Sequence, residues 1–437
     1  MKKILYILLT GIVLYPAYNS FPQSRNVYWI HGMGGNAESL EPHDTYFKNI
    51  YQMTTSRPYV STSFGILGAA ERLVPLVHTN SQNNNILIAH SMGGVNSVWL
   101  HKIGGGSQRV GGLISLGGPF SGAIVANNID NGILDELITE GVDKGTKGIR
   151  SEIGIFPPWM SLPPMVDAIY GLFGAVFPSS LLELMNGLAH AIFHKEIDEL
   201  TQSAATRNSL KTGSSDINTI KNHSFSVPSI ALYGVEDYPA TLRLISSRLN
   251  KNVTGLVNNV YQTCAATSAM HSTQATLCLA TGQIPLYILH RRLASDWAVS
   301  RDYWNGGIQA ATDVLTGCYR TNTVTETYEE WIPDAICDDG IPYHNPGKAV
   351  APNPICTSGH WETVTVTRTV IINEPGDGLL PITTQQAMPG CLKTVEMLHI
   401  NHEEMKDHAD VQAHLNRIFA GTTFTDRNPD FFRLTRR

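Results

Sequence analysis

The stretch NNNILIAHSMGGVNSVWLHKI, from Asn83 to Ile103, constrains this chain more than any other. Ile86 to Ala89 form an apolar run too short for a helix face; three asparagines introduce it as a turn would, so it reads as a buried strand. Gly93 and Gly94 then permit a tight turn, and the residues after them have the spacing of a helix start. Strand, sharp turn and helix, with Ser91 at the apex, make a nucleophile elbow: small neighbours let the backbone turn so tightly that the hydroxyl stands clear at the carboxyl end of a sheet. The pattern is Gly-x-Ser-x-Gly, with Ala89 in the first place here. Taken alone, the same residues also fit a helix-capping serine, so the rest of the chain has to decide.

A chain of 437 residues that is 42% hydrophobic and 16% charged can bury a large core, which fits one catalytic domain with insertions. A net charge of −6 is slight for this length, and no basic run carries interleaved aromatics, so no nucleic-acid partner is expected. The first residues, MKKILYILLTGIVLYPAY, pair two lysines with an apolar stretch that ends at Pro16, too short to span a bilayer comfortably. Residues 1–24 therefore read as a secretory signal, with a retained anchor as the alternative, and the mature chain is expected outside the cytoplasm: secreted, periplasmic or in the cell envelope. All six cysteines lie between Cys264 and Cys391, an even number that in an exported chain favours disulfides.

Upstream of the elbow, Val27 to Ile30 read as another buried strand, followed by the glycine-rich loop HGMGG. The spacing is not that of a phosphate-binding fingerprint. A different role fits: with an elbow nucleophile, the oxyanion on the attacked carbonyl is held by the N–H after the serine and by one from the loop after an earlier strand. Met92 and Met33 occupy those two positions.

IHGMGG, IAHSMGG and the later ISLGGPFSGA together resemble the secreted bacterial lipases of the α/β-hydrolase superfamily, and are also similar to inositol-deacylase-like and lecithin-acyltransferase-like enzymes. The likeness resumes at EIDELTQSAATRNSL and the strand SIALYGVED. It implies an α/β-hydrolase fold over residues 25–437, with a mostly parallel sheet and helices on both faces. It also implies a helical lid or cap inserted at about 124–200. The second half of that segment, from Ile155 to Phe193, is strongly apolar but broken by prolines and by Asp167 and Glu183, so it is no membrane span. Whether mobile lid or fixed cap, it implies an apolar substrate pocket.

Residues from about 250 to 370 fall outside the likeness. They contain a helical pattern broken at Gly306 and Gly307, then two alternating runs, TNTVTETYEEW and WETVTVTRTVII, that read as a β-ribbon. Cys337 and Cys356 flank the loop at its far end, and a disulfide between them is expected. A metal site from Cys337, Asp338, His344, Cys356 and His360 is the alternative, but no C-x-x-C pair supports it.

A serine becomes a nucleophile when a histidine takes its proton, and a carboxylate must orient that imidazole. On this fold the order is serine, acid, histidine. Asp237 follows the strand from Ser229 to Gly234, where compact members of the fold carry the acid, while Asp377 in EPGDGLLP resembles the Asp-Gly turn of the lipases. Asp377 is preferred, because those relatives also carry a long insertion before it, and Asp237 is held in reserve. His402 fits the base, since it follows a strand at Thr394 to Leu398 and precedes a helix, at the place of the lipases' Asn-His-Leu-Asp; His399 and His408 are reserves. The same lipases hold a structural calcium near this loop. Two of its ligand positions are altered here, to Glu404 and His408, so no cofactor is expected. The expected activity is a serine ester hydrolase, a lipase or long-chain carboxylesterase, acting on lipid or other acyl esters, if need be at an interface. A phospholipase or thioesterase would use the same residues, and a non-catalytic lipid- or partner-binding member of the fold is the rival class. The oligomeric state is not legible.

Overall fold

The computed structural model describes residues 25–145, 147–153, 203–237, 239–250, 252–333, 359–422 and 429–437. Six strands pair in parallel in the order β2-β1-β3-β4-β5-β8. They are β1 (Arg25–Ile30), β2 (Met53–Ser56), β3 (Asn85–His90), β4 (Gly112–Leu116), β5 (Ser229–Val235) and β8 (Lys393–Leu398). Among the described residues two further strands, β6 (Tyr319–Pro333) and β7 (Gly359–Asn373), pair with each other alone.

Parallel neighbours need long crossovers, and the described ones carry helices: α1 (Glu41–Ile50) between β1 and β2, α2 (Gly65–Leu73) before β3, and α3 (Met92–Ile103) before β4. Alternation sends Val27, Trp29, Ile86 and Ile88 to one face of the sheet and Tyr28, Ile30, Leu87 and Ala89 to the other. Helices α2 and α3 cover the second face through Ile66, Leu73 and Val95. The first is covered by α1 and the helix Ala409–Ala420, where Phe47 meets Phe419 edge to face at 4.9 Å. Burial on both faces is why these strands read as continuous apolar runs. This is the α/β-hydrolase architecture expected from the sequence.

The chain enters at β1, steps outward to β2, then crosses back over β1 to β3 and continues the other way. That reversal is a topological switch point, where the loops after β1 and β3 part and leave a crevice at the carboxyl ends of the strands. HGMGG and Ser91 are those two loops.

The helical segments 124–153 and 253–316 pack against each other. Helices α4 (Ile124–Asp130), α5 (Ile133–Gly145) and α6 (Lys147–Ile153) from the first meet helices of the second. In chain order, after α7 (Ala204–Leu210), α8 (Ser215–Lys221) and α9 (Ala240–Leu249), these are α10 (Val253–Ala280), α11 (Ile284–Asp302) and α12 (Ile308–Thr316). Trp304 Nε1 donates to the Gly145 carbonyl at 3.0 Å, Ser300 Oγ to that of Lys144 at 3.0 Å, and Asn128 Nδ2 to that of Val314 at 2.7 Å. Trp297, Trp304, Val257 and Ile308 form a separate apolar cluster in this helical unit. The ribbon is antiparallel from Tyr319↔Asn373 to Pro333↔Gly359. The apolar stretch 155–194, residues 1–24 and the Cys337–Cys356 loop lie outside the described residues.

Cys264, Cys278, Cys318 and Cys391, the four described cysteines, are free thiols. Burial pushes the thiols of Cys264 and Cys318 up to about 12, so they pack as small apolar side chains.

Candidate active site

Ser91 has φ +52° and ψ −130°, a backbone conformation that a side-chain-bearing residue adopts only under constraint, at a cost on the order of 1–3 kcal/mol. The constraint is visible. Its N–H donates to the Leu116 carbonyl at 2.9 Å, its own carbonyl accepts from Gly94 N–H at 2.9 Å, and α3 begins at the next residue. Met92 is thus in the first turn of a helix, where N–H groups have no intrahelical acceptor.

The HGMGG loop lies directly on the elbow. A Cβ built on Gly32 would stand 2.7 Å from Ser91 Cβ, so only glycine lets the loop approach this closely. Met33, the next residue, is buried there. His31 holds the loop: Nδ1 donates to the Gly32 carbonyl at 2.8 Å, Nε2 accepts from Val60 N–H at 3.4 Å, and the ring stacks on Tyr59. Burial lowers its pKa, which keeps this neutral tautomer. Gly34 N–H donates to Thr62 Oγ1 at 3.0 Å.

Asp377 and His402 meet with both side chains fully buried, His402 Nδ1 donating to Asp377 Oδ2 at 2.6 Å. The other carboxylate oxygen accepts from Leu379 and Leu380 N–H at 3.0 and 2.8 Å, and the Asp377 carbonyl accepts from His402 N–H at 2.9 Å. Gly117, just after β4, lies against this bond: a Cβ there would be 3.2 Å from His402 Nδ1 and 3.3 Å from Asp377 Oδ2. An imidazole held so has its Nδ1 proton committed to the acid, and Nε2 is the atom left to exchange a proton. The reserve pair is also joined, His399 Nδ1 to Asp237 Oδ1 at 2.8 Å, but both side chains are more than half exposed. Water competes for such a pair and screens it.

Two supports were not foreseen. His90, the residue before Ser91, donates from Nε2 to the His402 carbonyl at 2.9 Å, and the two rings pack with centroids 4.8 Å apart. Complete burial, then the neighbouring His402, hold its pKa well below the usual histidine value, so it serves as a neutral tie between elbow and histidine loop. A histidine closing an otherwise apolar strand was the available signal. The second support is Glu236, whose buried carboxylate accepts from Arg243 Nε at 2.8 Å and Asn401 Nδ2 at 3.1 Å; Asn401 also donates to Ser247 Oγ at 2.8 Å. Asn401 directly precedes His402, so this network fixes the loop from behind.

Glu404 and His408, at the two altered ligand positions, are engaged within the protein. Glu404 accepts from Ser247 Oγ at 2.8 Å and from Asn401 N–H at 3.2 Å, His408 caps the helix Ala409–Ala420, and Arg243 already supplies a cation to Glu236. Among the described residues no cluster of three or more His, Cys, Asp or Glu is arranged to hold a metal ion.

No protein-family model matches this chain, and no curated protein matches it in sequence. Among solved structures it is similar to a lipase-esterase related protein from Clostridium acetobutylicum, at 15% identity over 48% of this chain and 75% of that one, with a TM-score of 0.26. A hydrolase from Oleispira antarctica aligns at 15% identity over 53% and 80%, TM-score 0.28. An epoxide hydrolase from Bacillus megaterium aligns at 10% over 49% and 78%, TM-score 0.24. At these scores the likenesses add no weight, and the fold assignment rests on strand order and the switch point.

Proposed function

We propose that this chain is a serine ester hydrolase working through an acyl-enzyme, with a lipid or other long-chain acyl ester as substrate. The observation that carries the proposal is the fully buried His402–Asp377 pair, tied through His90 to a serine in a strained elbow. Ser91 Oγ attacks the acyl carbonyl carbon while His402 Nε2 takes the hydroxyl proton, and Asp377 stabilises the imidazolium through Nδ1–H. The negative charge that moves to the carbonyl oxygen is received by the N–H groups of Met33 and Met92. Collapse breaks the bond to the leaving oxygen, which takes the proton from His402. Water then enters, gives a proton to the same nitrogen and attacks the acyl carbon; collapse breaks the bond to Ser91 Oγ, which takes that proton back from His402 as the acid leaves. This sequence draws on no metal or organic cofactor. The apolar segment 155–194 supports an apolar acyl group, and the leader 1–24 supports a site of action outside the cytoplasm.

A fluorophosphonate probe tests the reading. It should attach to Ser91 and block hydrolysis of p-nitrophenyl esters, and Ser91→Ala should remove both while the protein melts where the parent does. Failure to label a folded protein would move it to the rival, a non-catalytic member of the fold.

A further inference from the structure

Helices α10 and α11 form an antiparallel hairpin that carries no Asp, Glu, Lys or Arg from Asn252 to His290. Its lower part is packed and cross-tied: Ser268 Oγ donates to the Ala294 carbonyl at 2.8 Å, and the His271 and His290 rings stack with Nδ1 atoms 3.1 Å apart. Beyond Ala275, the last buried residue of α10, every residue is exposed or half-exposed up to Arg292. The side chains exposed there are large and apolar: Leu277 64%, Leu279 50%, Ile284 48%, Leu286 43% and Ile288 61%. Apolar exposure this concentrated marks an interaction surface, where scattered single residues would not.

The hydroxyls of the tip and the N–H groups of its turn are already satisfied within it. Ser272, Thr273, Thr276 and Thr281 each donate their hydroxyl to the carbonyl four residues back. The turn N–H groups of Thr281, Gly282 and Gln283 donate to carbonyls of Leu277, Leu279 and Cys278. An element with its own hydrogen bonds closed can enter hydrocarbon at little cost. At 1.5 Å per residue the tip stands about 8 Å beyond Ala275, within the roughly 5–10 Å to which interfacial helices sink.

The cations sit one step back. Arg291 and Arg292 follow the apolar tip on α11, and a hollow against Leu289 brings Arg292 together with Lys147 and Arg150 of α6. Asp143 pairs with Arg150, and Asp296 with Lys147 and more distantly with Arg292, so four cations face two carboxylates. Tyr287 lies between tip and cations, with Arg291 5.9 Å from its ring centroid. Aromatic and basic residues at this level suit the head-group region of a bilayer.

We propose that the α10–α11 tip docks the protein on a bilayer leaflet containing anionic phospholipid, with Leu277, Leu279, Ile284, Leu286 and Ile288 among the acyl chains and Arg291 and Arg292 among the head groups. Charge favours this occupant over a second copy of the chain, since pairing two tips would bring like-charged bases together. The surface belongs to the helical insertion, so it stands whether or not Ser91 is a nucleophile.

The test uses the full-length chain as Ser91→Ala, so that vesicle lipid stays intact, in flotation with phosphatidylcholine vesicles and with vesicles that also contain phosphatidylglycerol. Binding should rise with the anionic lipid by about 5-fold for each arginine engaged. Ile284→Asp with Ile288→Asp should lower partitioning more than about 100-fold, because two buried side chains of this size are lost. Arg291→Glu with Arg292→Glu should abolish the preference for the anionic vesicles. With Ser91 restored, the tip changes should leave hydrolysis of a soluble ester as it was, which separates this surface from the catalytic reading. No binding to either vesicle, or binding indifferent to the tip charges, overturns the proposal. A concentration-dependent dimer that those charges dissociate also overturns it and assigns the tip to a second copy.

Discussion

Replacing Gly32 with alanine should disable the site while leaving the fold in place. The new methyl would stand 2.7 Å from Ser91 Cβ, 2.9 Å from His90 Nδ1 and 3.2 Å from the His90 carbonyl oxygen. Carbon atoms in contact sit about 3.5–4.0 Å apart, so roughly 1 Å of movement must be found. Ser91 cannot supply it without leaving the elbow, because its N–H is bonded to Leu116 and α3 starts at the next residue. His90 is held at its far side by the His402 carbonyl. The loop therefore moves, and Met33 moves with it. A displacement of about 1 Å in a group that stabilises the transition state costs on the order of 100-fold, while overpacking of this kind costs about 1–3 kcal/mol of stability. The expected result is a kcat/KM for p-nitrophenyl butyrate about 100-fold below the parent, with a melting temperature lower by only a few degrees. Gly213→Ala is the control, since φ there is +77° with nothing within 4 Å of the new methyl, so it brings backbone strain far from the site. A folded Gly32→Ala enzyme with parental kcat/KM would refute the close approach of loop and elbow.

Three other outcomes are expected. Asp377→Asn should lower kcat by orders of magnitude through loss of the productive tautomer, whereas Asp237→Asn, at an exposed pair, should cost little; the opposite ranking in steady-state assays would transfer the acid to β5. Burial pushes His43 down to about 4, with its Nε2 donating to the Met405 carbonyl. The unfolded chain then binds the extra proton between about pH 6.5 and 4, so stability should fall as pH drops through that window, by on the order of 3 kcal/mol from this residue. Urea melts at pH 7 and 4.5 should show the loss, and His43→Gln should remove part of it. Finally, Cys337 and Cys356 should emerge as one linked pair in non-reducing peptide maps of the purified protein; two free thiols would rule the bond out.

What could be read beforehand was what is local in the chain. The elbow, the HGMGG loop and the strand before His402 each announce themselves within a dozen residues, because tight turns and buried strands place strict demands on neighbours. The helical pattern of α11 was legible, but α10 and the exposed tip gave no such signal. Helices are recognised by an apolar stripe against a charged face, but here the packed positions include Ser268, His271 and Ala275, and the exposed ones are leucine and isoleucine. The pattern is inverted toward the tip, and a pattern search built for water-facing helices passes over it. Cysteine parity is silent on the four described thiols for a related reason: it reflects compartment, whereas Cys264 belongs to the apolar cluster of Trp297 and Cys318 lies against Gly376, positions set by the tertiary fold.

The choice between the two acids shows where sequence order stops and burial takes over. Asp237 and Asp377 both lie between Ser91 and His402 in the chain, and each hydrogen-bonds a histidine at the end of β8. Glu236 and Asp237 are adjacent at the end of β5 yet turn opposite ways, Glu236 inward to Arg243 and Asn401, Asp237 outward to His399. Once Glu236 takes the inner position to brace the histidine loop, the acid from this strand cannot also sit behind His402. A second carboxylate has to arrive from elsewhere, and the turn after β7 delivers Asp377 with two backbone N–H groups already committed to its outer oxygen. Removing the brace should therefore act on His402 without touching the reacting atoms. Glu236→Gln keeps the shape but withdraws the charge that Arg243 and Asn401 share, leaving the loop ahead of His402 less firmly held. The expected signature is a lower kcat at nearly constant KM, with partial recovery by the acidic Glu236→Asp; equal losses in both variants would make Glu236 a matter of packing alone.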